Sequence, residues 1–193
     1  MECDVRLSGE GSAVVFHDAD LRRLCGVALE VERTPGAVLA KHRLLGSNQC
    51  IPMVGQLLEL VAGRVPVLLE LKTRDRNAAR LCRAIVAAIE PTGGSVGVMS
   101  FDPRVAHWLW RNAPHVRRGL VIRESLPLFK RWIAMLIARP QFLAVDIAAL
   151  DRAWAARARR TMPVYCWTVR NGEQRRALTP LADALIWETD GRP

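Results

Sequence analysis

Residues 66–112, PVLLELKTRDRNAARLCRAIVAAIEPTGGSVGVMSFDPRVAHWLWRN, decide the fold class. Pro66 to Leu71 and Val96 to Ser100 are short apolar runs bounded by Gly, Pro and polar residues, which is how a buried strand reads. Each is followed by helical spacing. Arg76 to Glu90 sets Ala79, Leu81, Cys82, Ile85, Val86 and Ile89 on one face, and Pro103 to Asn112 continues the pattern. Strand, helix, strand, helix predicts parallel strands joined by crossover helices.

The alternation extends both ways from this stretch. Strands are predicted at Glu2 to Leu7, Ala13 to Phe16, Gly119 to Ile122, Phe142 to Val145, Pro163 to Thr168 and Ala184 to Trp187. Helices are predicted at Leu126 to Ala138, Leu150 to Arg160 and Gly172 to Leu178. The strands are apolar almost throughout, as parallel strands covered by helices are. An open doubly wound sheet and a closed barrel both fit this order. No Gly-rich phosphate loop joins a strand to a helix, which weakens the nucleotide-binding version of the open sheet. Polar residues fall at C-terminal strand ends (Glu70, Lys72, Ser100, Asp146, Thr168, and Thr189 with Asp190), where barrels carry their chemistry. The reading is therefore an α/β protein, a (β/α)8 TIM-type barrel. At roughly 31 residues per βα unit, eight units need about 250 residues. The chain has 193. With Ala13 to Phe16 as the return arm of a hairpin, one βα unit, the first, is expected to be lacking. A single domain spanning 1–193 is expected, with an excursion at about 19–64 that ends in a helix from Met53 to Ala62.

Half of the residues are hydrophobic and 24% are charged, which excludes a disordered chain. The formal charge is +9, carried by 28 basic residues against 19 acidic ones, and only Lys41, Lys72 and Lys130 are lysine. A basic nucleic-acid-binding protein is the remote alternative that this charge raises. The arginines are spread along the chain and no recognition motif is present, so no nucleic-acid partner is expected. Met1 is followed by Glu2, Cys3 and Asp4, without the basic and apolar regions of a signal peptide. Leu126 to Ile137 is interrupted by Lys130 and Arg131 and is too short to span a bilayer, so no stable membrane span is expected. Five cysteines without a C-x-x-C pair read as reduced thiols of a cytoplasmic protein. Trp108, Trp110, Trp132 and Trp154 on the predicted helices are expected to be packing residues. Arg152, Arg157, Arg159 and Arg160 are expected on a solvated helix face.

Glu2 and Asp4 lie two apart on a predicted strand, so both carboxylates share a face. With Glu70 they form an oxygen-only donor set suited to a hard divalent cation, Mg²⁺ or Ca²⁺; alternatively Glu2 and Asp4 face solvent at a terminus. Lys72 points the same way as Glu70, either toward an anionic phosphate or into an internal ion pair. His17, at a strand end beside Asp18, suits general acid/base work, or else Asp18 is a turn residue beside a loop histidine. His42, His107 and His115 have no metal-ligand spacing.

Together these pieces resemble the glycerophosphodiester phosphodiesterase family. Glu2-Cys3-Asp4-Val5-Arg6-Leu7, a turn, then Val14-Val15-Phe16-His17-Asp18 and Leu21 match the family's E-x-D-V-x-L and V-V-x-H-D-x-x-L. Ile51-Pro52 with the helix after it, and Leu69-Glu70-Leu71-Lys72, match its I-P-x-L helix and E-x-K strand. Ser100-Phe101-Asp102, Trp167-Thr168-Val169 with Asn171, and Thr189-Asp190 match its later strand ends.

The resemblance implies a (β/α)8 barrel that hydrolyses glycerophosphodiesters to an alcohol and glycerol 3-phosphate, in lipid and glycerol metabolism. It implies a divalent cation held by Glu2, Asp4 and Glu70, with His17 as one of two acid/base histidines. Lys72 is implied on the phosphate and Trp167 on the substrate side. The family's opening H-R-G strand and P-E-N segment precede E-x-D and carry the partner histidine and a phosphate-binding arginine; they have no counterpart in these 193 residues, and Gly191 interrupts the usual T-D-R-P. Either an upstream start or a truncated relative explains this. Two consequences are expected, impaired hydrolysis and a homo-oligomer through the open barrel seam; the alternative is a non-catalytic phosphodiester-binding or truncated relative.

Overall fold

The computed structural model describes residues 1–74 and 77–188. In chain order these form β1 (Glu2–Leu7), β2 (Ala13–Val15), α1 (Arg22–Cys25), α2 (Gly36–Leu39), α3 (Val54–Val61), β3 (Val67–Leu71) and α4 (Ala78–Ile89). Then come β4 (Val96–Ser100), α5 (Pro103–Asn112), β5 (Arg117–Ile122), α6 (Leu128–Ala138), β6 (Phe142–Asp146), α7 (Ala153–Arg159), β7 (Val164–Val169), α8 (Gly172–Leu178) and β8 (Ala184–Trp187). Hydrogen bonding orders the strands β2-β1-β3-β4-β5-β6-β7-β8. The pairs β1–β3, β5–β6, β6–β7 and β7–β8 are parallel. β2 returns antiparallel along β1, as expected of the hairpin arm, pairing Val5, Arg6 and Leu7 with Val15, Val14 and Ala13. β2 thus covers the C-terminal half of the β1 edge. Thr189 and Asp190 lie outside the described residues.

The chain divides into two compact units, Met1–Val98 with Arg111–Val116, and Met99–Trp110 with Arg117–Pro193. In the first, α4 packs on β1 and α3. It buries Ala78, Leu81, Cys82 and Ile85, the i, i+3, i+4, i+7 stripe of an amphipathic helix. The β1–β2 turn closes on Gly11, whose φ of 108° favours glycine. Residues 19–64 hold more structure than the sequence suggests. Alongside α3, they contain α1, α2 and a 3₁₀ turn at Val31–Arg33. Four-residue helices are too short to show a 3.6-residue period. Leu21, Val31, Leu39 and Ile51 form a small core there with Val14 and Phe16. Glu10 in the hairpin turn accepts the Gly36 N–H at 2.8 and 2.9 Å and so ties α2 to the strands.

In the second unit, Leu120 and Ile122 of β5, Leu143 and Val145 of β6, and Val164, Cys166 and Val169 of β7 make a continuous core with Ala106 of α5. Gly119 stands opposite Phe142. A Cβ there would lie 2.2 Å from the Phe142 ring, so only glycine fits. Two expectations need correction here. Helix α7 begins at Ala153, because Ile147–Ala149 form a 3₁₀ turn whose Ala148 N–H is accepted by Asp146 Oδ1 at 3.0 Å. Trp132 is not a packing residue: it is 65% exposed, because the inner side of α6 is taken by Arg131, Ala134, Met135 and Ala138. Trp154 does pack against the core, with the Arg131 guanidinium 4.0 Å above its ring.

Candidate active site

β1 and β3 run parallel with Asp4 opposite Glu70 and Glu2 opposite Leu68. Because strand side chains alternate, Glu2, Asp4 and Arg6 share one face of β1 while Cys3, Val5 and Leu7 take the other. Val5 and Leu7 are buried. Glu2, Asp4 and Glu70 each offer a carboxylate oxygen, and these oxygens lie within 4.8 Å of one another. Lys72, two residues past Glu70, brings its Nζ to Asp4 Oδ1 at 2.9 Å and hydrogen-bonds Glu70 Oε1. Its own N–H is held by the Val5 carbonyl at 2.9 Å. The residues that sequence reasoning left between ligand and ion-pair roles therefore form one cluster.

The cluster is half-dry. Glu70 is 8% exposed. Burial pushes its carboxyl above the usual range, against the opposing pull of the Lys72 ammonium and a smaller pull from His17. Burial would lower Lys72, but Glu70 and Asp4 outweigh it and hold the ammonium above its usual value. Such a pocket favours an added positive charge. The donors fit one: they are all hard oxygens, and two ligands of one ion at about 2.3–2.6 Å can stand up to roughly 5 Å apart. Cys3, beside these carboxylates, is pushed up to about 12 by burial and by Glu2 and Asp4, and stays an inert thiol.

His17 reaches the same place through the hairpin. The Phe16 N–H donates to the Asp4 carbonyl at 3.0 Å, carrying the β2 register one residue on. Arg6 Nε donates to the His17 carbonyl at 2.8 Å. The His17 side chain is 57% exposed, and its Nδ1 lies 2.7 Å from Asp18 Oδ1. Arg23 grips Asp18 with Nε on Oδ2 at 2.7 Å and a second nitrogen on Oδ1 at 2.8 Å. The Arg23 hydrogen bonds, opposed by burial and aided by His17, hold the Asp18 carboxyl at about 2. An ionised carboxylate only accepts, so Nδ1 carries the hydrogen. Nε2 is the ring nitrogen that Asp18 does not engage. Asp18 thus orients the histidine rather than ending a turn.

Sequence reasoning missed Arg6 and Arg23. The signal for Arg6 was available, since it extends the Glu2–Asp4 alternation by one step. Arg23 had none, because its contact with Asp18 depends on the path of α1. The ordinary carboxyl value for Asp18 is 3.8. Its folded value is lower, so its contribution to stability is complete above about pH 4 and is lost as pH falls through about 2. In Arg23→Ala the Asp18 carboxyl, followed by NMR, is expected to titrate nearer 3.8. An unmoved value would show that Arg23 does not set it.

Trp167 lies in the second unit, on β7 opposite Asp146. Its Nε1 donates to the Ala144 carbonyl at 3.0 Å, and Phe101 meets its ring edge-on at 5.4 Å. The Arg123 guanidinium sits 4.4 Å above the Phe101 ring. His42, His107 and His115 are not part of the carboxylate group; His107 Nδ1 lies 3.1 Å from the Ile137 carbonyl.

A family model described as the glycerophosphoryl diester phosphodiesterase family matches residues 1–188. No curated protein matches the chain. Solved structures share its fold. A phosphodiesterase of Oleispira antarctica in complex with the product sn-glycerol-3-phosphate has a TM-score of 0.86 and 20% identity, covering 96% of this chain and 79% of that one. A glycerophosphodiester phosphodiesterase of Thermotoga maritima has a TM-score of 0.77 and 21% identity, covering 96% and 80%. One from Agrobacterium tumefaciens has 0.75 and 19%, covering 97% and 83%. The TIM-type barrel lineage expected from the strand and helix order is theirs.

Proposed function

Because the chain belongs to the glycerophosphoryl diester phosphodiesterase family, we propose that it hydrolyses glycerophosphodiesters to an alcohol and glycerol 3-phosphate with a divalent cation, Mg²⁺ or Ca²⁺, held by Glu2, Asp4 and Glu70. The observation that carries this reading is the meeting of these three carboxylates within 4.8 Å, next to the Lys72 ammonium. A bound cation would supply neutralisation of the phosphate charge as the phosphorus is attacked.

The chain's own residues do the rest. His17 Nε2 takes the proton of the attacking hydroxyl, or returns one to the alkoxide that leaves when the P–O bond breaks. Asp18, fixed by Arg23, keeps Nδ1–H in place and stabilises the imidazolium that forms. Arg6 positions the His17 backbone. Lys72 is assigned to the phosphate, and Trp167, fixed in plane by Ala144 and Phe101, to the substrate side. All five cysteines are free of disulfides, which supports a reducing compartment, the cytoplasm. Among the described residues no helix is long and apolar enough to cross a membrane.

The test is release of glycerol 3-phosphate from a glycerophosphodiester by the 193-residue chain with added Mg²⁺ or Ca²⁺. Weak release is expected with cation, and loss of release with chelator and in Glu70→Gln. Release unaffected by chelator would remove the metal site. No release with either cation, while Ca²⁺ still raises the melting temperature, would favour the phosphodiester-binding role.

A further inference from the structure

Helix α6 turns an apolar face outward. Leu128, Phe129, Trp132, Ile133, Leu136 and Ile137 are all exposed, Leu128 by 72%. Their spacing of i, i+1, i+4, i+5, i+8 and i+9 makes one continuous stripe along a helix of 3.6 residues per turn. The outer face of a water-bathed helix carries polar residues. A contiguous apolar stripe edged by charge marks an interaction surface.

The charges carried by α6 and α7 themselves are of one sign. Residues 125–145 contain no Asp or Glu, but include Lys130, Arg131 and Arg139. Residues 153–160, which include α7, also lack an acidic residue and carry Arg157 and Arg160, with Arg159 paired to Asp183 at 3.0 Å. Between α6 and α7 runs an apolar groove of about 560 Å³, lined by Met135 and Trp154 and with Arg131 and Arg157 among its walls. Aromatic and aliphatic side chains beside a group of cations match the boundary between acyl chains and anionic headgroups.

We propose that α6, with the adjoining α7 groove, docks onto an anionic lipid membrane surface. The helix lies flat, with Leu128, Phe129, Trp132, Ile133 and Leu136 entering the acyl boundary. Lys130 and Arg157 meet lipid phosphates. At 11 residues α6 is about 16 Å long, too short to cross a bilayer and long enough to lie in its interface. A second copy of the chain is the poorer occupant. A second copy of this stripe brings another exposed Lys130 to the interface and, from residues 125–145, no acidic residue to pair it.

The experiment is co-sedimentation of the full chain with phosphatidylcholine vesicles, with and without one-third phosphatidylglycerol. Partitioning is expected to be at least about tenfold higher on the anionic vesicles and to fall with added salt. Trp132→Ser and Phe129→Ser are expected to lower it about tenfold and Lys130→Glu about fivefold or more. Circular dichroism should be unchanged, because these side chains face outward. Vesicle-induced blue-shifted tryptophan emission should be lost in Trp132→Ser. Equal partitioning on neutral and anionic vesicles, or none on either, would overturn the proposal. So would a dimer in sedimentation equilibrium that Trp132→Ser dissociates while vesicle binding stays absent.

Discussion

His17→Ala is expected to lower kcat for glycerophosphodiester hydrolysis by about 10²- to 10⁴-fold, the usual loss when a positioned acid or base is removed. KM should move far less, because the phosphate contacts assigned to Lys72 and the cation are untouched. The side chain is 57% exposed and packs into no core, so the variant should fold. Asp18→Asn should lose less, since it weakens the orientation of Nδ1–H and keeps Nε2. Added imidazole should recover part of the His17→Ala rate if the missing group is a proton carrier. The measurement is glycerol 3-phosphate release under saturating and limiting substrate. A kcat within about twofold of the parent would assign the proton transfers to another group.

The second large effect is on stability. Lys72→Met removes the ammonium that pairs Asp4 and Glu70. Breaking a fully buried pair costs about 3–5 kcal/mol. Here Lys72 is 19% and Asp4 24% exposed, so water screens part of the loss, and about 1–3 kcal/mol is expected in the presence of chelator. Glu70, already raised by burial, rises further without Lys72. A carboxyl raised in the folded state costs stability as pH climbs past its unfolded value. The deficit should therefore be complete at neutral pH and shrink as pH falls toward the ordinary carboxyl value. A divalent cation should restore the stability: at a hundredfold excess over Kd, ligand linkage is worth about 2.7 kcal/mol. Denaturant unfolding with chelator and with Ca²⁺ measures both effects. Equal Ca²⁺ stabilisation of Glu70→Gln would show that Glu70 is no ligand.

Most strands were legible because they are short apolar runs, and Val96–Ser100 and Ala184–Trp187 have the bounds that the sequence suggests. The same holds for Pro103–Asn112 and Gly172–Leu178. In the latter, Asn171 caps the helix by accepting the Gln174 N–H at 2.8 Å. The miss at α7 has a local cause, since Asp146 captures Ala148 before a helix can start. The miss at Trp132 has a different one. Helical spacing tells which residues share a face, but α6 is apolar nearly all round, and periodicity does not choose which side meets the sheet.

The candidate site divides in the same way. Period 2 alone put Glu2 with Asp4 and Glu70 with Lys72, because alternation along a strand is set by backbone geometry. Two strands more than sixty residues apart had still to be brought side by side. Only the parallel β1–β3 register, with Asp4 opposite Glu70, turns two pairs into one cluster with Lys72 between two of its carboxylates. The orientation of His17 likewise waits on Arg23, carried in by α1. Local pattern determined the strands, most of the helices and the residue types of the chemistry, since those follow from steric and apolar periodicity within a few residues. Tertiary structure alone decided the register between strands, the inward side of α6 and the partners of each charge, since those depend on contacts between segments distant in the chain.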